Sequence, residues 1–501
     1  MQIKDLRYLA LALATLGCTA NKNEPCSPPD SCAAATGDTG SPSEEAPSMF
    51  AAVFEQSVAD GFTGVALVRH EGEVLFHDAA GFASVDEKTK IELETPLVIG
   101  SITKQFTGAA VLKLHDEGLI ALDDRLQDLF EGVPSDKAEI TVHQLLTHTA
   151  GFAALLGKDA EPVGRDEYLE RAFSTELDFA PGTMHSYSNV GYSILAAIVE
   201  QTSGLSYEAF LREAFFAPAH MEQTGFLLPS WDEIEPASGF QGSSVDVPLE
   251  RPHDDTGYYW NLRGNGGLIS TASDLVLWHD ALASGAALSA ESLGLLTTPY
   301  VSEGVGTGSA YAYGWVIEET AAGKLAWHDG GNGFFYAQLY RYLDADLQVI
   351  VLANEDNDAA AALPRLLAQA VLPELTPNTW EILALADTEV GGSNESLTQD
   401  VEMRDGDVLL TAVIIELTDG SATWRVRDPN GEVFASGEAT AQASADHFIR
   451  VDGLGGTWTL DVDLADASGF VSAGWGRLLG PDAPCPDGAE CISLPSSLGQ
   501  Q

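Results

Sequence analysis

The chain has 501 residues, 45% of them hydrophobic, enough apolar material for a catalytic core of several hundred residues and a second, smaller module. Against 75 aspartates and glutamates stand 24 lysines and arginines, a net charge of −51 that repels nucleic-acid phosphates and anionic headgroups at long range. That balance argues against nucleic-acid binding, and by itself it names no substrate.

Lys4 and Arg7 precede the apolar run LALATLG, which ends at Cys18. The run is too short to cross a bilayer and reads as the apolar part of an export signal. Gly17-Cys18 resembles a bacterial lipobox, in which the cysteine is acylated and becomes the mature N-terminus, although Thr15 stands where that motif usually has Leu. Residues 1–18 are therefore expected to be a lipoprotein signal peptide with Cys18 as the lipidation site, and the protein to sit in the bacterial cell envelope, held to the membrane by its lipid anchor. An ordinary cleaved signal peptide is the alternative. The other four cysteines form two local pairs, Cys26 with Cys32 and Cys485 with Cys491, which in an oxidising compartment read as two short disulfide loops. No histidine lies near either pair, so no zinc site is expected. The long stretch between the pairs has no cysteine, which excludes a cysteine nucleophile.

Residues 19–48, rich in Pro, Ser, Gly, Asp and Glu, cannot bury a core and read as a flexible tether. From Met49 the pattern changes, and GVALVRHEGEVLFHDAAGFAS reads as two strands joined by a Glu-Gly turn. In SITKQFTGAAVLKLHDEG, apolar Ile102, Phe106, Ala109, Ala110, Val111 and Leu114 fall near helical spacing, so Ser101 opens a buried helix that ends at Gly118. Ser101 and Lys104, three apart, then share a face, and the serine hydroxyl lies at the positive end of the helix dipole. A serine nucleophile needs a base, and lysine serves only if burial lowers its pKa from about 10.4 toward neutrality. Taken alone, Ser-x-x-Lys reads better as a capping serine followed by a solvent-facing lysine.

The rest of the chain decides between these readings. In order come LIALDDRLQDLF, ITVHQLLTHTAGF, PGTMHSYSNVGYSILAAIVEQTSG, FFAPAHMEQTGF, GNGGLISTASDLVLWHDAL, YAYGW and WHDGGNGFF. With these motifs the chain resembles the class C β-lactamase-like family of penicillin-binding DD-peptidases, D-aminopeptidases and carboxylesterases, from about Met49 to about Leu372. The resemblance implies an α/β (α+β) catalytic domain over 49–372, with an antiparallel sheet flanked by helices and a helical subdomain. It implies Ser101 as acylated nucleophile with Lys104 as its partner, Tyr187 and Asn189 from YSN, and His328-Asp329-Gly330 as the third motif. Either Lys104 or Tyr187 takes the first proton. Asn189 orients the substrate and hydrogen-bonds Lys104. The oxyanion hole is expected from the backbone N–H groups of Ser101 and Gly331, with His328 and Gly330 alongside as substrate-binding positions. The chain departs from the family after Gly331, reading Asn332-Gly333-Phe334-Phe335 where Pro-Gly-Phe is usual.

His328 stands where β-lactamases of the family usually have a lysine that pairs with the antibiotic's carboxylate. A histidine of pKa about 6.5 is mostly neutral at neutral pH, so esters or D-amino-acid peptides are expected to be better substrates than penicillins. Activity on carboxylate-bearing substrates is expected to rise as pH falls and His328 gains its proton. His148 reads as a structural helix-end histidine, His115 and His143 as ordinary helix residues, and Asp274 as a helix cap.

After Leu372, LPELTP marks a linker. Over 373–482 apolar and alternating runs separated by Asp-Gly, Pro-Asn-Gly and Gly-Gly turns predict an all-β module, a β-sandwich with a lipocalin-like barrel as the alternative, in which Trp424, Trp458 and Trp475 pack the core. Residues 483–501 form a short tail with the second cysteine loop. The expected function is that of a serine hydrolase with no cofactor or metal, cleaving an ester, β-lactam or D-amino-acid peptide of a small-molecule or peptide substrate. The alternative is a catalytically silent cell-envelope scaffold or cell-wall binder.

Overall fold

The computed structural model describes residues 49–494 except 85–87, 228–230, 232–233, 255–256, 304–307, 376–377, 395, 404–407, 441–444, 453–454 and 482–490. The expected signal peptide and tether, with Cys18, Cys26 and Cys32, and also Cys485, lie outside the described residues. Cys491 falls on a strand, but its side chain is not among those described.

A helix that the sequence reading passed over, α1 (Met49–Ala59), precedes the expected hairpin of β1 (Gly64–His70) and β2 (Glu73–Ala80). The turn between the strands places both Glu71 and Gly72 at positive φ (49° and 84°), as a tight hairpin requires. The buried helix is α2 (Thr103–Asp116), entered through a 3-10 turn at Gly100–Ile102. Then come α3 (Asn189–Ser203), closed by Gly204 in the left-handed region (φ 74°), and α4 (Ala272–Ala283). Six strands follow: β3 (Val301–Ser302), β4 (Ser309–Tyr311), β5 (Val316–Thr320), β6 (Gly323–Gly331), β7 (Tyr336–Tyr342) and β8 (Leu347–Ala353). Helix α5 (Asp358–Val371) ends this region.

The strands form one antiparallel eight-stranded sheet in the order β2-β1-β8-β7-β6-β5-β4-β3. Its central strands read as continuous apolar runs because both faces are covered. Val65, Leu67, Ile350 and Leu352 enter a core shared with α2, α3 and α4, whereas Ala66, Val68, Val349 and Val351 meet Phe54 of α1 and Leu363 and Leu367 of α5. Helix α2 lies inside the first core, buried without a break from Thr103 to Leu112. Phe106 packs on Trp278 of α4 with ring centroids 4.5 Å apart. The cap of α4 is Thr271 and not Asp274: the Thr271 hydroxyl accepts from Asp274 N–H (3.1 Å). Asp274 instead accepts from Gln223 N–H (2.8 Å) and the Thr224 hydroxyl (2.7 Å), and burial pushes its carboxyl up to about 6.

The C-terminal region is all-β as expected, and its strands join in one seven-stranded sheet. Its strands are β9 (Asn378–Ser393), β10 (Ser396–Met403), β11 (Val408–Arg427), β12 (Val433–Thr440), β13 (Ala445–Asp452), β14 (Gly456–Pro481) and β15 (Cys491–Leu494). The long β11 and β14 pair with each other along both halves and shift register between Leu417 and Ser421. In one half β12 and β10 flank them, and in the other β13 and β9. At the break Gly420 has φ 78°, and a Cβ there would stand 2.4 Å from the Asp466 carbonyl, so only glycine fits. Val401, Val426 and Leu460 of one half share a core with Leu409, Val413 and Val471 of the other, together with Trp424, Trp458 and Trp475.

Candidate active site

The turn that carries Ser101 is held from both ends. Leu97-Val98 pairs with Ile269-Ser270, and Ile99 N–H donates to Leu268 O (2.9 Å). On the other side the turn meets the end of β6 backbone to backbone. A Cβ on Gly330 would lie 2.2 Å from Ile99 O and 2.7 Å from Ser101 N, and one on Gly100 (φ 50°) would lie 2.9–3.0 Å from Gly330. The glycines thus permit a close approach that no side chain would tolerate.

Lys104, one turn further along, is fully buried. Its Nζ donates to Ser101 Oγ (3.0 Å), Asn189 Oδ1 (2.7 Å) and the Asn265 carbonyl (2.7 Å). Burial drives its pKa well below the ordinary lysine range, and the Asp329 and Asp159 carboxylates offset only part of this. Asn189 is the first residue of α3, whose cap is the Ser188 hydroxyl. Asn265 was not singled out from the sequence. It is fixed by Nδ2 bonds to Ser193 Oγ (2.8 Å) and Asn261 O (3.0 Å).

Tyr187 stands over Lys104, with Nζ 4.7 Å from the ring centroid. Its hydroxyl is buried and has no hydrogen-bond partner of good geometry among the described residues. Burial pushes the phenol well above its ordinary range, against the pull of the adjacent Ser101 hydroxyl and with reinforcement from Asp329. His148 clamps the segment that carries Tyr187: its carbonyl accepts from Ser186 N–H (3.0 Å) and its Nδ1 from Ser188 N–H (3.1 Å). Its ring lies 4.4 Å from that of Tyr187, and its backbone is left-handed (φ 57°), a conformation that a non-glycine residue keeps only when its surroundings enforce it. His148 is therefore structural, as expected, but its partner is the YSN segment.

His328 does not meet the expectation of a charge-reading histidine. It is 2% exposed, and both ring nitrogens are used internally. Nδ1 faces the Asp329 carbonyl (2.6 Å) and must carry the proton, while Nε2 accepts from Tyr311 Oη (3.0 Å). Burial, aided by Lys104, lowers its pKa to about 4 against the pull of Asp329. The ring stays neutral through the pH range in which it was expected to gain a proton, so the predicted rise in activity on carboxylates near pH 6 loses its basis.

Strand β6 outruns β5. Trp327 is the last residue paired with β5, opposite Val316, so His328–Gly331 pair with β7 alone. The other edge of this segment is open. Asn332 N–H donates to Phe335 O (3.3 Å) and closes the hairpin, and alternation along an antiparallel ladder then turns the backbone groups of Gly331 and Asp329 away from β7 toward the open edge. The Asn332 side-chain carbonyl accepts from Phe334 N–H (3.0 Å) and Phe335 N–H (2.9 Å), which makes a rigid Asx turn where the family pattern has proline. A groove of about 650 Å³ over Phe130 and Phe173 and a cavity of about 460 Å³ beside Lys158 are lined by none of these residues. The residues expected from the sequence gather instead at the junction of α2, α3 and the open edge of β6.

The family model for beta-lactamase matches residues 50–372. A penicillin-binding protein of Bacillus subtilis (strain 168) is 27% identical over 314 residues, spanning 59% of this chain and 69% of its own length. A D-aminopeptidase of Brucella canis is 27% identical over 392 residues, spanning 69% of this chain and 73% of its own. Among solved structures, a penicillin-binding protein from Bacillus halodurans superposes with a TM-score of 0.55 at 23% identity, over 64% of this chain and 99% of its own.

Proposed function

The chain belongs to the beta-lactamase family and is a serine hydrolase, and on that premise we propose that it works through an acyl-enzyme on Ser101 and cleaves esters or D-amino-acid peptides in preference to penicillins. The observation that carries this reading is the fully buried Lys104 amine with its lowered pKa, resting 3.0 Å from Ser101 Oγ. A silent scaffold has no physical use for a lysine so costly to bury.

The two candidate bases are driven apart in pKa, and such a divergence assigns their roles. Lys104, pushed down, gives up the proton it directs at Ser101 and, as a neutral amine still donating to Asn189 and Asn265, takes the Ser101 proton on its lone pair as Oγ attacks the substrate carbonyl. Tyr187, pushed up, keeps its proton and serves as a donor: its hydroxyl passes a proton to the leaving group and is resupplied from Lys104. The carbonyl oxygen, negative in the tetrahedral intermediate, is received by the N–H groups of Ser101 and Gly331. Water then repeats the sequence on the acyl-enzyme and frees the acid. The test is the mass of the Ser101 peptide after separate incubation with a nitrophenyl ester, a D-alanyl peptide and a penicillin. Acyl adducts on Ser101 with the first two are the expected result, and an adduct on another residue would refute the nucleophile.

The signal-like N-terminus supports export and lipidation at Cys18. Single acylation holds a protein to a bilayer only marginally, whereas the three chains of a bacterial lipoprotein hold it firmly. Cys18→Ser should therefore move the protein from the membrane to the soluble fraction on fractionation, and unchanged sedimentation would remove the anchor.

A further inference from the structure

Asp329, the middle residue of the third motif, has no role in the chemistry above, yet it occupies the open edge of β6. Its neighbour Gly330 packs on Ser101 N, and the ladder alternation turns the Asp329 and Gly331 backbone groups to the edge beside Ser101. The Asp329 side chain is 52% exposed and, among the described residues, forms no ion pair with lysine or arginine; its nearest basic atom is Nδ1 of the neutral His328, at 3.8 Å. Its field reaches the reacting groups, raising the pKa of Lys104, Tyr187 and Glu303. Two cations near the site are already committed: Lys104 Nζ is bonded to Ser101, Asn189 and Asn265, and Arg251 is paired with Asp246.

We propose that Asp329 is a specificity-determining residue that selects for substrates bearing an ammonium group near the scissile carbonyl, such as an amino acid amide or peptide with a free amine, and against those bearing a carboxylate there. The assignment rests on the acyl-enzyme reading and adds a substrate charge to it. A half-exposed charge is screened by solvent, but a site that excludes water on binding substrate strengthens its interaction.

Three D-alanine nitroanilides that differ only at the amine provide the test: the free ammonium, the neutral N-acetyl and the anionic N-succinyl derivative. The wild-type kcat/KM should fall in that order. Asp329→Asn should shrink the ratio of ammonium to succinyl substrate by about tenfold, the scale of one partly screened charge contact, while Asp329→Glu keeps it. The wild-type ratio should also decline with added salt. Turnover of all three with a ratio that is flat in the wild type, or unmoved by Asp329→Asn, overturns the role of Asp329 and leaves the hydrolase reading standing. If none is turned over and the Ser101 peptide carries no acyl group, both readings fall.

Discussion

Changing Ser101 to alanine should remove all acyl-enzyme and lower kcat on the order of 10⁶-fold, the scale at which serine hydrolases lose their nucleophile. The argument is local. Ser101 Oγ is the reacting-side acceptor of the three that Lys104 Nζ holds, and the other two, Asn189 Oδ1 and the Asn265 carbonyl, cannot attack a substrate. Tyr187 cannot take over, because its phenol keeps its proton. The fold should persist, since the turn is fixed by backbone contacts to Leu268 and Gly330 that the substitution leaves alone. Labelling by a serine-directed phosphonate, read by mass spectrometry, should vanish with unchanged circular dichroism. Labelling that survives in the variant would place the nucleophile elsewhere.

Lys104→Ala should slow acylation by at least about two orders of magnitude, the usual contribution of a positioned base. The pH dependence identifies the base. A lysine whose folded pKa is lowered is neutral, and so competent, above that lowered value, so wild-type kcat/KM should rise with pH through it and level off far below the ordinary lysine range near 10.4. Lys104→Ala should lose this rising limb. If the limb remains in the variant, another group is the base. The same shift bears on stability: between the lowered folded pKa and the unfolded one, the unfolded chain binds the proton and the folded chain does not, so Lys104 destabilises the fold most at the acidic end and the penalty fades as pH rises.

The parts of the site that sequence could reveal are those set by local geometry. Ser101 and Lys104 are three apart at a helix entry, a spacing that lets Nζ reach Oγ once the face they share is buried. The hairpin of β1 and β2 was legible because Glu-Gly between two apolar runs admits few other structures. Helix α1 was missed because its apolar residues, Phe50, Val53 and Phe54, make a short stretch without a clear cap, and it is held by packing on the sheet. Asn265 was invisible for a different reason: it contributes a backbone carbonyl, which has no residue signature, and the glycines around it in GNGG mark only a tight turn. His328 was read as a residue that meets substrate charge, but the structure buries its ring and occupies both nitrogens. Its state is decided by burial and by Tyr311, a partner whose proximity depends on strands pairing. At Asn332, where the chain departs from the family pattern, the side chain reproduces by hydrogen bonds the rigidity that a proline ring supplies covalently.

The strand order has a consequence in time. β1 lies between β2 and β8, with Gly64 opposite Ala353, so the first strand of the catalytic sheet cannot be flanked on both sides until nearly the last residues of this region exist. The Ser101 turn, α2, α3 and β6 all belong to the loop that this pairing closes. Closing so long a loop adds little to the free energy of folding, but it slows the search for the native pairing. A chain emerging N-terminus first therefore carries Ser101 and Lys104 long before they can react, since the lysine becomes a base only when the packed helix strips its water. Hydrolytic activity is born with the completed fold, and a chain in transit has no active serine to spend on the wrong carbonyl.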